Sequence, residues 1–122
     1  MKYVIAFVAT ALFLVTSHTR VAIAGPLEEG VSAFSHADYS RALRLLQPLA
    51  DKGDSDAEYT LALMYVKGDG VPQDNAQAFM LFSLAAKSGD PDAVAQRDQL
   101  GGSLTPDEKT KADQLLADWK PK

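Results

Sequence analysis

Downstream of residue 25, apolar side chains recur at spacings of three and four, broken by short polar turns. Leu27, Val31 and Phe34 predict a short helix. Asp38 is placed to cap the next one, roughly residues 39–52, whose stripe is Ala42, Leu43, Leu46, Leu49 and Ala50. Pro48 lies inside that stripe, where it removes a backbone donor and predicts a kink or an early end. Gly53 suits the left-handed geometry that closes a helix. Ser55 with Glu58 reads as a capping box opening a helix that carries Ala57, Leu61, Met64 and Tyr65 on one side. Asp74 with Gln77 opens a fourth helix, whose Ala78, Phe79, Phe82, Ala85 and Ala86 are set to face the third.

The pattern weakens after Asp90-Pro91. Ala93 and Leu100 keep the stripe, Arg97 interrupts it, and Gly101-Gly102 breaks it. Thr105-Pro106-Asp107-Glu108 then combines a cap, a first-turn proline and a box glutamate. The last helix places Ala112, Leu115, Leu116 and Trp119 on one side, and Pro121 stops it.

Compared with itself at an offset of 36, the chain repeats its punctuation. Asp38, Ala42 and Ala50 align with Asp74, Ala78 and Ala86; Gly53, Asp54, Asp56 and Ala57 align with Gly89, Asp90, Asp92 and Ala93. Caps and small residues recurring at one period indicate one helical hairpin built again. The fullest copy runs over residues 57–89. There Ala57, Leu61, Tyr65, Gly68, Gly70, Val71, Asp74, Ala78, Phe82, Ala85, Ala86 and Gly89 together resemble a Sel1-like repeat, a relative of the TPR hairpin. Two positions depart from the family pattern: Ala62 stands where glycine is usual, and Leu81 where tryptophan is frequent. The resemblance implies an all-α fold, a short right-handed α-solenoid of antiparallel helix pairs closed by a C-terminal capping helix. The expected layout is an incomplete first repeat over 25–56, a full repeat over 57–92, and a partial repeat with the capping helix over 93–122.

The N-terminus changes the setting. Lys2, a short apolar run over residues 3–15, and Ala22-Ile23-Ala24 before Gly25 predict a Sec-type signal peptide over residues 1–24, with cleavage after Ser17 as the second possibility. The run is too short for an ordinary membrane span, so no stable span is expected after its removal. Lys2 and Arg20 would leave with it, so ten of the 12 basic side chains remain against 16 acidic ones, a net charge of −6. Such a surface repels phosphate backbones and argues against nucleic-acid binding. With no cysteine, the exported domain would hold together by packing alone. A periplasmic or secreted location follows.

Candidate chemistry is sparse. The two histidines, His18 and His36, offer no zinc pair without cysteine, and His36 reads as a solvated residue before a helix cap. Asp51, Asp54, Asp56 and Glu58 lack the calcium-loop spacing and read as helix caps. Gly68-x-Gly70 lacks the Gly-Lys-Ser/Thr of a phosphate loop, and no serine sits in a Gly-x-Ser-x-Gly elbow. No catalytic, metal or cofactor residue is therefore assigned. One face exceeds what a single hairpin needs. Tyr59, Leu63 and Val66 add apolar positions at spacings of four and three on the helix 57–66. They predict either burial against the helix 39–52 or a groove for a partner peptide or helix. The resemblance to Sel1-like proteins implies a non-enzymatic protein-interaction module, an adaptor or regulator in the bacterial cell envelope or secreted space, with self-association possible on so small a surface. The contrasting expectation is a small envelope hydrolase or cell-wall-modifying enzyme, which would need a pocket serine, lysine or carboxylate with a displaced pKa.

Overall fold

Asp38, Asp74 and Thr105 each cap a helix start in the computed structural model, which describes residues 24–122. The expected signal peptide lies, apart from Ala24, outside the described residues. Among them are six helices and no strand: α1 (Pro26–Ser35), α2 (Tyr39–Asp51), α3 (Ser55–Lys67), α4 (Asn75–Ala86), α5 (Pro91–Gly101) and α6 (Pro106–Asp118). The architecture is an all-α stack of antiparallel helix pairs.

The offset of 36 has a physical counterpart at each position. The carboxylates of Asp38 and Asp74 accept backbone N–H bonds from Arg41 and Gln77 and open α2 and α4. Those of Asp54 and Asp90 do the same for Ala57 and Asp92 and open α3 and α5. Gly53 and Gly89 both take positive φ, at 92° and 85°. Ala42, Ala57, Ala78 and Ala93 are all fully buried. Thr105 and Glu108 form the expected reciprocal box at the start of α6.

Two local expectations give way to packing. Asp54, not Ser55, caps α3, and Glu58 turns inward instead of reaching back to the cap. Helix α2 does not stop at Pro48 but continues to Asp51. Pro48 is exposed while Leu46 and Ala50 are buried on the opposite side, so the missing hydrogen bond falls where water reaches and the core contacts hold the last turn.

The α3–α4 hairpin is the centre. Helix α4 buries Ala76, Ala78, Met80, Leu81, Phe82, Leu84, Ala85 and Ala86, because α3, α5 and α6 all pack on it. Its N-terminal Asp74 is also tied to Lys111 of α6 at 2.7 Å. Between α3 and α4 the chain is folded tightly. The Gly68 and Asp69 amides both donate to the Met64 carbonyl, the Asp74 amide returns to the Tyr65 carbonyl, and Val71 packs on the core. Gly70, at φ 73°, lies so close to α2 that a Cβ there would meet the Tyr39 Cβ at 2.7 Å. The turn of one hairpin thus sits directly on the second helix of the previous one.

Helix α6 closes the stack by folding back along α4, and the chain beyond it reaches further. Trp119 packs on the core and lies beside Gly53, while the Lys122 amide donates to the Asp51 carbonyl at 2.8 Å. The last residues therefore tie the final helix to the end of α2.

At the other end α1 is seated by an absence of bulk. Gly30 is buried inside the helix, and a Cβ there would stand 2.6 Å from Leu46 Cδ2, 2.7 Å from its Cγ and 3.3 Å from the Leu45 Cβ. Leu46 is fully buried and cannot swing away. Gly30→Ala should therefore lower stability by about 1–3 kcal/mol, against the roughly 1 kcal/mol that alanine gains over glycine in an open helix. Urea unfolding of the two chains measures this, and a more stable variant would show that α1 is free to move off α2.

Candidate functional site

Tyr59, Leu63 and Val66 lie on α3, the first helix of the central hairpin. All three side chains are half-buried and touch the core. The Tyr59 ring meets Phe82 edge-on, with centroids 5.6 Å apart and planes at 65°, and extends onto Ala85, Ala86 and Ala93. Burial raises its hydroxyl pKa above the ordinary value, with the charges of Asp92 and Asp90 adding in the same direction.

Tyr59 and Leu63 are brought together, but Val66 is not part of the same surface. With Thr60, Tyr59 and Leu63 form one wall of an open groove of about 720 Å³. The opposite wall is α1, presenting Leu27, Val31 and Phe34. Val66 instead borders a smaller hollow of about 170 Å³ toward α5, with Phe82, Gln96 and Leu100. Across this groove the helix facing Tyr59 and Leu63 is α1, while α2 packs on α3 behind it. Sequence reading placed Leu27, Val31 and Phe34 on a short helix without assigning them to the site. The signal was present, since their spacings of four and three match those of Tyr59, Leu63 and Val66.

Among the described residues Val31 is the most exposed large apolar one, at 37%. Its neighbours Leu27 and Phe34 are half-covered, and Phe34 is anchored to Tyr39 of α2 with ring centroids 6.0 Å apart. The groove therefore has an apolar floor held rigidly from behind. The charged residues on its lining, Glu28 and Asp56, are both acidic and exposed.

A second feature lies where α2 turns into α3. Glu58 is only 2% exposed, and its Oε2 is sealed from solvent without a hydrogen-bond partner. Burial pushes its pKa up from 4.5 to about 7, the nearby charge of Asp54 adds to the rise, and Lys87 partly offsets it. Glu58 forms part of the wall of a hollow of about 290 Å³ shared with Ser55, Leu84, Lys87, Ser88 and Trp119. The Ser88 hydroxyl is already engaged, donating to the Ala85 carbonyl at 2.8 Å. His36 is exposed, with Nδ1 2.7 Å from the Ser32 carbonyl. No three His, Asp or Glu side chains converge as a metal site among the described residues.

Against known proteins, the Sel1 repeat pattern matches residues 27–54 and 55–90, together more than half of the chain. The chain is 33% identical over 76 residues to the alginate biosynthesis protein AlgK of Azotobacter vinelandii, covering 62% of this chain and 16% of that protein. It is 35% identical over 60 residues to an exopolysaccharide production negative regulator of Rhizobium leguminosarum bv. viciae, covering 49% of this chain and 22% of the relative. The corresponding regulator of Rhizobium meliloti (strain 1021) is 33% identical over the same length. The matched segments thus span less than a quarter of each of these relatives. No solved structure matches.

The buried carboxyl makes stability depend on pH in a fixed direction. The folded chain keeps a proton on Glu58 that the unfolded chain releases near 4.5, so the contribution is complete below that pH. It is lost as pH rises toward about 7 and is gone above it. The loss should be on the order of 1–3 kcal/mol. Glu58→Gln keeps the shape without the charge and should flatten stability between pH 5 and 8 as read by urea midpoints. An unchanged slope would place the pH dependence elsewhere.

Proposed function

Because the chain belongs to the Sel1 repeat family, we propose that it is a non-enzymatic protein-interaction module, an adaptor or regulator exported to the bacterial cell envelope or secreted space. Sel1 repeats generally mediate contacts between proteins, and the groove between α1 and α3 is the observation that carries the reading here. Its floor is apolar and fixed by the core behind it, so a partner would meet a preformed surface and lose little to reordering. Tyr59 and Leu63 are the partner-contacting residues on α3, joined by Val31 on α1; Val66 extends the same helix toward α5.

The relatives' names concern alginate biosynthesis and the regulation of exopolysaccharide production, and we place the adaptor role in polysaccharide production at the envelope. The N-terminal apolar run with its small-residue cleavage pattern supports export. Among the described residues no helix is long and apolar enough to cross a membrane.

One observation speaks for catalysis: a carboxyl with a pKa near 7, beside Ser55, Ser88 and Lys87. Its placement favours a structural role. Glu58 is almost closed to solvent, and Ser88 serves the end of α4, so neither presents a reacting atom to a substrate.

Capture from an envelope extract tests the reading, with the full chain as bait and the recovered protein purified and recombined. A one-to-one complex is expected, lost with Val31→Glu and kept with Lys109→Glu on the exposed side of α6. Retention of only a glycan or small molecule would sink the proposal, as would a protein complex indifferent to Val31→Glu.

A further inference from the structure

The groove is apolar in the middle, and the charge around it has one sign. Glu28 and Asp56 line it, and no lysine or arginine does. Asp90 and Asp92 lie close enough to bear on the Tyr59 hydroxyl. Four ion pairs are formed among the described residues: Arg41–Glu29, Arg97–Asp98, Lys111–Asp74 and Lys122–Asp51. None of them uses Glu28 or Asp56, so the two carboxylates that line the groove carry no ion pair within the described residues. The walls present their apolar groups at helical intervals, four and three from Leu27 through Val31 to Phe34, and four from Tyr59 to Leu63.

We propose that this groove seats a cationic amphipathic helix of a protein partner, with apolar side chains at i, i+4 and i+7 on the floor and lysines or arginines flanking them over Glu28 and Asp56. The inference rests on the protein-interaction reading above and adds the chemistry of the partner. An apolar stripe meets the floor, where Val31 is left open to water. The flanking cations meet unpaired carboxylates at the edge, a complementarity that selects among amphipathic helices of similar shape. An acidic helix of the same apolar pattern would bring like charges together at both rims.

Two synthetic peptides of about 14 residues test this on the full chain. They share leucines at i, i+4 and i+7 and differ only in flanking lysines or glutamates. By fluorescence anisotropy the lysine peptide should saturate at one to one and bind roughly tenfold more tightly than the glutamate peptide, with the difference shrinking at high salt. Glu28→Lys with Asp56→Lys, both at exposed positions, should reverse the preference. Val31→Glu adds a negative charge but fills the floor with a polar group, so it should abolish binding; undiminished binding of the lysine peptide would mean diffuse attraction and overturn the proposal. Equal binding of the two peptides would also overturn it, while a captured partner still lost with Val31→Glu would leave the interaction module intact. A benzoylphenylalanine photo-crosslinker in place of Val31 reads the other occupants. Crosslinks to the lysine peptide support the assignment, whereas crosslinks to a second copy or to residues 1–23 of the same chain overturn it.

Discussion

The fold depends on how closely helix backbones approach at a few alanines. Ala42, Ala57, Ala62, Ala78, Ala93 and Ala112 are all completely buried, each at a place where two helices meet. Alanine itself removes little apolar area from water, but it carries no side-chain entropy to lose. Its contribution is to let the larger residues reach: Phe82, Leu46, Leu61 and Met64 are sealed because the backbones around them are near. The repeat therefore preserves small residues and caps more faithfully than bulky ones. The small positions set the distance between elements, and the bulky ones fill what that distance leaves.

The groove follows from the same constraint at the point where it lapses. Helix α1 is held on α2 by the contact of Gly30 with Leu46, and α3 is held by its alanines on α2 and α4. Helices α1 and α3 also touch, but less extensively than α1 touches α2 or α3 touches α4. Phe34, Tyr59 and Leu63 stand at the gap with their inner surfaces packed on the core and their outer surfaces open, and Val31 beside them is exposed. Such a surface is apolar yet rigid where its side chains, Phe34, Tyr59 and Leu63, are half committed to the core.

Much of this was legible in the sequence, since the strongest signals are local. A carboxylate before a helix, a glycine after it and a small residue at fixed spacing act over one turn, so Asp38, Asp74, Gly53 and Gly89 behave as their neighbours require. The failures arise where a distant contact decides. Ser55 and Glu58 satisfy the pattern of a capping box, but the Glu58 side chain is buried and the cap falls to Asp54. Pro48 weakens α2 locally, but Leu46 and Ala50 keep it helical. Tyr59 and Leu63 were visible as surplus apolar positions; that their counterpart is α1 and not α2 depends on how hairpins stack, which spacing along one helix does not encode. The separation of Val66 from them has the same cause.

The segment from Trp119 to Lys122 alters the mechanics of the stack. In a simple array each unit touches only the next, so disorder can enter from a free end and advance one unit at a time. Here the Lys122 amide on the Asp51 carbonyl and the Trp119 ring beside Gly53 join the last helix to the first hairpin, across the central one. Mechanically the row becomes a loop. Lifting α6 off α4 also strips the cover from the end of α2, and loosening α2 releases the anchor of α6. Helix α6 and the end of α2 therefore loosen together, a coupling that a simple row of nearest-neighbour units lacks.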